Sequence, residues 1–196
     1  MIRQATLPLL FVLSPTLQSD PAEAMERRVR RAALRREPVV LGTADAPYEP
    51  PARGESPLRA LLPLADGLEV AITTATPRVL GELELLAELD RRHFVTVRIT
   101  APLPTALDPG PRLRAAQALA AEGITTVLLL VPRKADCEAD CEEEMRFFLE
   151  QAREAEIHDV EIETSGLRRA ERAPLRATFR RLRLEHGFPR GAAGRG

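Results

Sequence analysis

The chain has 196 residues, 44% of them hydrophobic and 29% charged, with a formal net charge of −1. That length suits one domain of the usual size, about 100 to 200 residues, and the near-neutral balance gives no overall pull toward nucleic acid or an anionic membrane. No apolar run approaches the roughly 20 residues of a membrane span.

The apolar run Leu7–Leu13 follows Arg3 as the core of a signal peptide would. It is short, however, contains Pro8 and precedes no small-x-small cleavage site, so no leader is expected. Leu9–Leu13 reads instead as a first strand. After it, apolar runs alternate with amphipathic stretches, the order of parallel strands joined by crossover helices. Further strands are expected at Pro38–Gly42, Leu68–Thr74, Phe94–Thr100, Thr125–Val131 and Asp159–Thr164. Helical spacing falls at Ala22–Arg35, Pro57–Ala65, Arg78–Arg91, Arg112–Ala121, Asp140–Glu154 and Pro174–Glu185. In the third of these Val79, Leu80, Leu83, Leu86 and Leu89 share a face. Gly123 reads as a helix C-cap, and Asp136 or Asp140 as an N-cap. Pro47–Pro57 is a proline-rich loop within the same rhythm, not a linker. Residues 1–188 therefore read as one α/β domain, with Pro189–Gly196 as a disordered tail.

Charge is unevenly spread although the total is small. Arginines gather in Glu26–Arg36 and Leu167–Arg183, acids in Asp136–Glu144, and solvated helix faces account for both. Two cysteines, Cys137 and Cys141, cannot build a disulfide framework, so a reducing, cytoplasmic setting is expected. Their CxxxC spacing leaves three readings open: incidental thiols, a redox pair at a helix start, or a metal site completed by nearby acids.

In parallel α/β folds ligands sit beyond the carboxyl ends of the strands. The residues there are Thr43 and Asp45, Thr74 and Thr76, Thr100, Arg133 and Lys134, then Thr164 and Ser165. They include no nucleophile-plus-base pair and no glycine-rich phosphate loop. His93, His158 and His186 lie away from these ends and read as surface residues. Strand alternation turns Val95, Val97 and Ile99 one way and Thr96, Arg98 and Thr100 the other. Arg98 is thus expected to meet Glu161 or Glu163 across a barrel interior, because an unpaired buried charge carries a large desolvation penalty.

Several phrases resemble, in order, the radical S-adenosylmethionine proteins related to spore photoproduct lyase. They are Pro38-Val-Val-Leu-Gly-Thr43 with Pro47-Tyr-Glu-Pro50, Val70-Ala-Ile-Thr-Thr74, Leu83-Glu-Leu-Leu-Ala-Glu-Leu89, Val95–Thr100, Gln117–Ile124, Val127–Pro132 and Leu184–Pro189. The resemblance implies an incomplete parallel (β/α)6-type barrel. It also implies a four-iron, four-sulfur cluster on a CxxxCxxC loop near the start, where one open iron chelates S-adenosylmethionine.

The departures bear on function. The CxxxCxxC loop is absent, Ala46 stands where the family has the Asp of DPY, Ala75 where it has Lys, and Arg98 where it has a small Ser. Decay or repurposing fits these changes better than a shortened reading frame. The expectation is a degenerate domain without its own cluster, kept as a binding or interaction module. A vestigial strand-end pocket would comprise Thr43, Asp45, Thr74, Arg98 and Thr100, with a protein partner docking at the open barrel edge. One alternative is a lyase-like enzyme of that family whose cluster segment lies outside this chain. The other is a thiol redox or metal-binding protein using Cys137 and Cys141.

Overall fold

The computed structural model describes residues 31–32, 34–35, 37–52, 55–64, 66–103, 109–132 and 140–188. The expected strand Leu9–Leu13, most of the helix expected at Ala22–Arg35, the Asp136 cap and the tail lie outside these residues. Five strands are described: β1 (Val39–Leu41), β2 (Glu69–Thr74), β3 (Phe94–Leu103), β4 (Thr125–Pro132) and β5 (Asp159–Ile162). Four α-helices follow β2 to β5 in turn: α1 (Leu83–Asp90), α2 (Gly110–Ala121), α3 (Asp140–Glu154) and α4 (Arg169–Glu185).

The strands form one parallel sheet in the order β1-β2-β3-β4-β5. Each crossover therefore steps to the next position in the same direction. With the right hand that such connections almost always take, this places the intervening helices on one face of the sheet. The core agrees. Leu86 of α1, Leu119 of α2, Phe148 of α3 and Leu182 of α4 belong to one buried cluster with Val97 and Leu128. Each such side chain contributes about 1.5–3 kcal/mol by leaving water. Val127 and Leu129 alternate with Leu128 and Leu130; they are buried too, but stand outside that cluster. They belong to the opposite face.

Two stretches expected as α-helix are wholly or partly 3-10 turns, at Pro57–Leu61 and Pro77–Glu82. Pro63 in the first has no N–H to continue an α-ladder and its ring would clash one turn back. Gly81 weakens the second, so the α-helix begins only at Leu83. Strand β3 runs three residues further than expected, through Pro102. That proline is tolerated because β2 has ended at Thr74, opposite Ile99, leaving that side of β3 without a β2 partner. Helix α4 begins five residues before Pro174, where the Glu171 carboxylate reaches back to accept from the Arg168 N–H at 2.8 Å. Gly123, with φ +81°, closes α2 as the sequence indicates.

Candidate functional site

The face away from the core cluster carries the charged positions of the sheet. Register sets Thr73, Arg98, Val127 and Asp159 in one row, and Thr100, Leu129 and Glu161 in the next. Arg98 Nε reaches diagonally over β4 to Glu161 Oε2 at 3.4 Å. Of the two partners that alternation left open, Glu161 and Glu163, the pair is made with Glu161. The environment differs from the expectation: the two side chains are 32% and 40% exposed, so the pair is wetted and contributes no more than about 1 kcal/mol. Asp159, one row away, is held by Arg183 of α4 at 2.6 Å.

The five residues expected to share a strand-end pocket do not come together. Arg98 and the buried Thr100 share the face opposite the core cluster. Thr74 has the parity of Val70 and Ile72, so its side chain turns to the helix-covered face, where Oγ1 accepts from the Thr76 N–H at 3.3 Å. Thr43 closes the turn after β1, its Oγ1 accepting from the Ala46 N–H at 3.0 Å, with Asp45 exposed in that turn. Thr76 caps the second 3-10 turn through the Arg78 N–H. At the β5 end, a cleft of about 360 Å³ is lined by Gly166, Leu167, Arg168 and Glu171. The Glu171 carboxylate already accepts from the N–H of Arg168, the cap of α4, and its charge there opposes an anionic ligand. Arg133 and Lys134 lie outside the described residues.

Of the three histidines, His93 departs from the surface reading. It is 3% exposed beneath the first 3-10 turn, its Nε2 lying 3.3 Å from the Leu61 carbonyl. His158 is exposed and its Nδ1 accepts from the Thr126 N–H.

A buried polar pair that sequence reading missed joins the β1 loop to the second 3-10 turn. Tyr48 and Glu82 are each 8% exposed, and the Tyr48 hydroxyl donates to the Glu82 carboxylate, 3.0 Å from either oxygen. Burial pushes the phenol well above its ordinary pKa; the Ser56 hydroxyl opposes that shift and the Glu82 charge adds to it. Backbone geometry holds the pair: the Tyr48 N–H donates to the Thr73 carbonyl at 2.6 Å. The segment crosses Gly42 so closely that a Cβ there would lie 2.3 Å from Tyr48 N and 2.4 Å from Thr73 O.

Cys141, buried at the start of α3, is disulfide-bonded. The sequence holds one other cysteine, Cys137, which lies outside the described residues. The free-thiol reading from the cysteine count therefore does not hold for Cys141, and a sulfur so bonded is no thiolate ligand. Among the described residues no group of three or more His, Cys, Asp or Glu is placed to hold a metal. None of their helices is long and apolar enough to cross a membrane.

Comparison with protein families, with curated proteins and with solved structures finds no match. The arrangement itself offers recognition chemistry: a guanidinium, carboxylates, threonine hydroxyls and two apolar side chains on one sheet face.

Proposed function

We propose that the chain is a radical S-adenosylmethionine-like domain without its own cluster, an incomplete barrel retained as a non-catalytic binding module. The observation that carries this reading is the Arg98–Glu161 pair spanning the face of a sequentially wound parallel sheet that lies opposite the core cluster. By the family resemblance, that face is where the cofactor would lie. Support also comes from the resembling phrases: Pro38–Thr43 falls on β1 and its turn, Val70–Thr74 on β2, Val95–Thr100 on β3 and Val127–Pro132 on β4.

The cluster that the resemblance implies does not fit this chain's residues. It needs three thiolates, and the sequence has two cysteines, of which Cys141 is in a disulfide. Anaerobic reconstitution with iron and sulfide is expected to leave no bound iron and no visible charge-transfer absorbance after desalting. A stable cluster that cleaves S-adenosylmethionine would overturn the reading in favour of the lyase-like enzyme.

The Cys141 disulfide favours a second reading, a thiol redox protein. Two electrons and two protons from a dithiol reductant would open the bond to two thiols, leaving the reductant as its own disulfide. On this reading maleimide labels two thiols after mild reduction and none before, and a graded glutathione buffer moves the protein reversibly between the states. A bond resistant to that buffer, or opened only on unfolding, would make it structural.

A further inference from the structure

Helix α4 carries seven arginines counting its cap, and ion pairing divides them. Arg181 pairs with Glu142 and Glu185, and Arg183 pairs with Asp159. Among the described residues Arg172 bonds the neutral carbonyls of Leu167 and Ser165 and no carboxylate. Arg169, Arg176 and Arg180 are exposed and form no ion pair among the described residues.

At about 100° per residue, Arg169, Arg176 and Arg180 fall within a strip some 40° wide; Arg183, which is paired, lies about 20° outside it and Arg172 about 40° outside it. The row runs about 16 Å along the axis. Its neighbours on the open side are the small, exposed Ala170, Ala173 and Ala177, which leave room for close approach. The helix's own acids, Glu171 and Glu185, lie on the far side of the wheel and are engaged with the Arg168 N–H and Arg181. The apolar face, with Phe179 and Leu182, is buried in the core; Leu184, 54% exposed beside the alanines, is too little apolar surface to sink the helix into a bilayer. After Phe188 the sequence adds Arg190 and Arg195 and no acid.

We propose that this α4 row docks a nucleic-acid strand by its phosphates. The guanidinium groups stand about two helical turns (Arg169 to Arg176) and one helical turn (Arg176 to Arg180) apart along one line, a spacing that lets one extended strand pass over all three, and their planar forks bind phosphate oxygens in pairs. Binding is sequence-independent and governed by salt through release of counterions. The surface lies on a helix and not on the sheet face, so the proposal stands whether or not the reading of that face does.

The test is fluorescence anisotropy with an unstructured oligouridine, the same length of oligodeoxythymidine and a DNA duplex, over a series of salt concentrations. The full chain is compared with the triple variant Arg169→Gln/Arg176→Gln/Arg180→Gln. All three positions are exposed, so circular dichroism and the melting curve should be unchanged, and the cluster and thiol assays should read as before. Loss of at least about tenfold in affinity is expected, with the salt slope on the single strands shallower by about 2, at roughly 0.7 per phosphate contact. The oligonucleotide arms tell which strand form the row prefers. No binding at low salt, equal binding by the triple variant, or displacement of the oligonucleotides by polyglutamate or by phosphatidylserine vesicles that take up the protein instead would each overturn the proposal. So would low-salt self-association abolished by the triple variant, because the row would then serve a contact between copies.

Discussion

Gly42→Ala should destabilise the chain by about 3 kcal/mol or more, measured as the shift in a urea transition. Two costs combine. The residue sits at φ +76°, a region that disfavours any side chain. The added Cβ also meets two backbone atoms, Tyr48 N and Thr73 O, that cannot swing aside as a flexible side chain would. Gly123→Ala separates the two, because Gly123 has a similar φ of +81° with nothing within 4 Å of the added carbon. It should lose only about 1 kcal/mol. Equal losses in the two variants would mean that the close crossing of β1 by the Tyr48 segment is not a constraint.

Tyr48→Phe should cost about 2–3 kcal/mol, more than an ordinary lost hydrogen bond, because it leaves the buried Glu82 carboxylate without its donor. Adding Glu82→Met, which removes the stranded charge at similar volume, should recover most of that loss. A double variant as unstable as the single one would contradict the pairing. The same phenol sets an alkaline limit. Its folded pKa is raised by burial, so above the ordinary value near 10 the unfolded chain releases a proton that the folded chain keeps. Stability is therefore full below about pH 10 and falls above it by up to about 1.4 kcal/mol per pH unit. The variant lacking the hydroxyl should lose that slope. The sequence has one tyrosine and no tryptophan, so near-ultraviolet phenolate absorbance reports Tyr48 alone and should appear together with unfolding.

What the sequence made legible was the part governed by short periods. The two-residue alternation in Val95–Thr100 separated a core face from a polar one and pointed Arg98 toward Glu161, because a charge inside a parallel strand needs a partner nearby. Helix α3 falls on its expected bounds, Asp140–Glu154, where no proline or glycine interrupts the pattern. The misses have distance or backbone geometry in common. Tyr48 and Glu82 stand 34 positions apart, and nothing local announces that a turn will bring them together. Thr74 was grouped with Arg98 by its place at a strand end, although its parity already assigned it to the other face. His93 reads as a surface residue because it lies away from the carboxyl ends of the strands, whereas the first 3-10 turn covers it. The arginines of α4 looked like a solvated face as a set; only the ion pairs of Arg181 and Arg183 reveal which of the others remain uncompensated.

The strand order also bears on how the chain is made. Each described strand pairs with the one just before it in sequence, so a strand leaving the ribosome finds its template already synthesised. Synthesis at about 5–20 residues per second gives each strand-helix unit seconds to settle before the next arrives. No strand has to wait for a distant downstream partner, and the separation between pairing segments stays at one unit throughout, which keeps the topological barrier to folding low. The newest strand is always the rim of the sheet, and the nascent protein grows by successive addition at a single moving border.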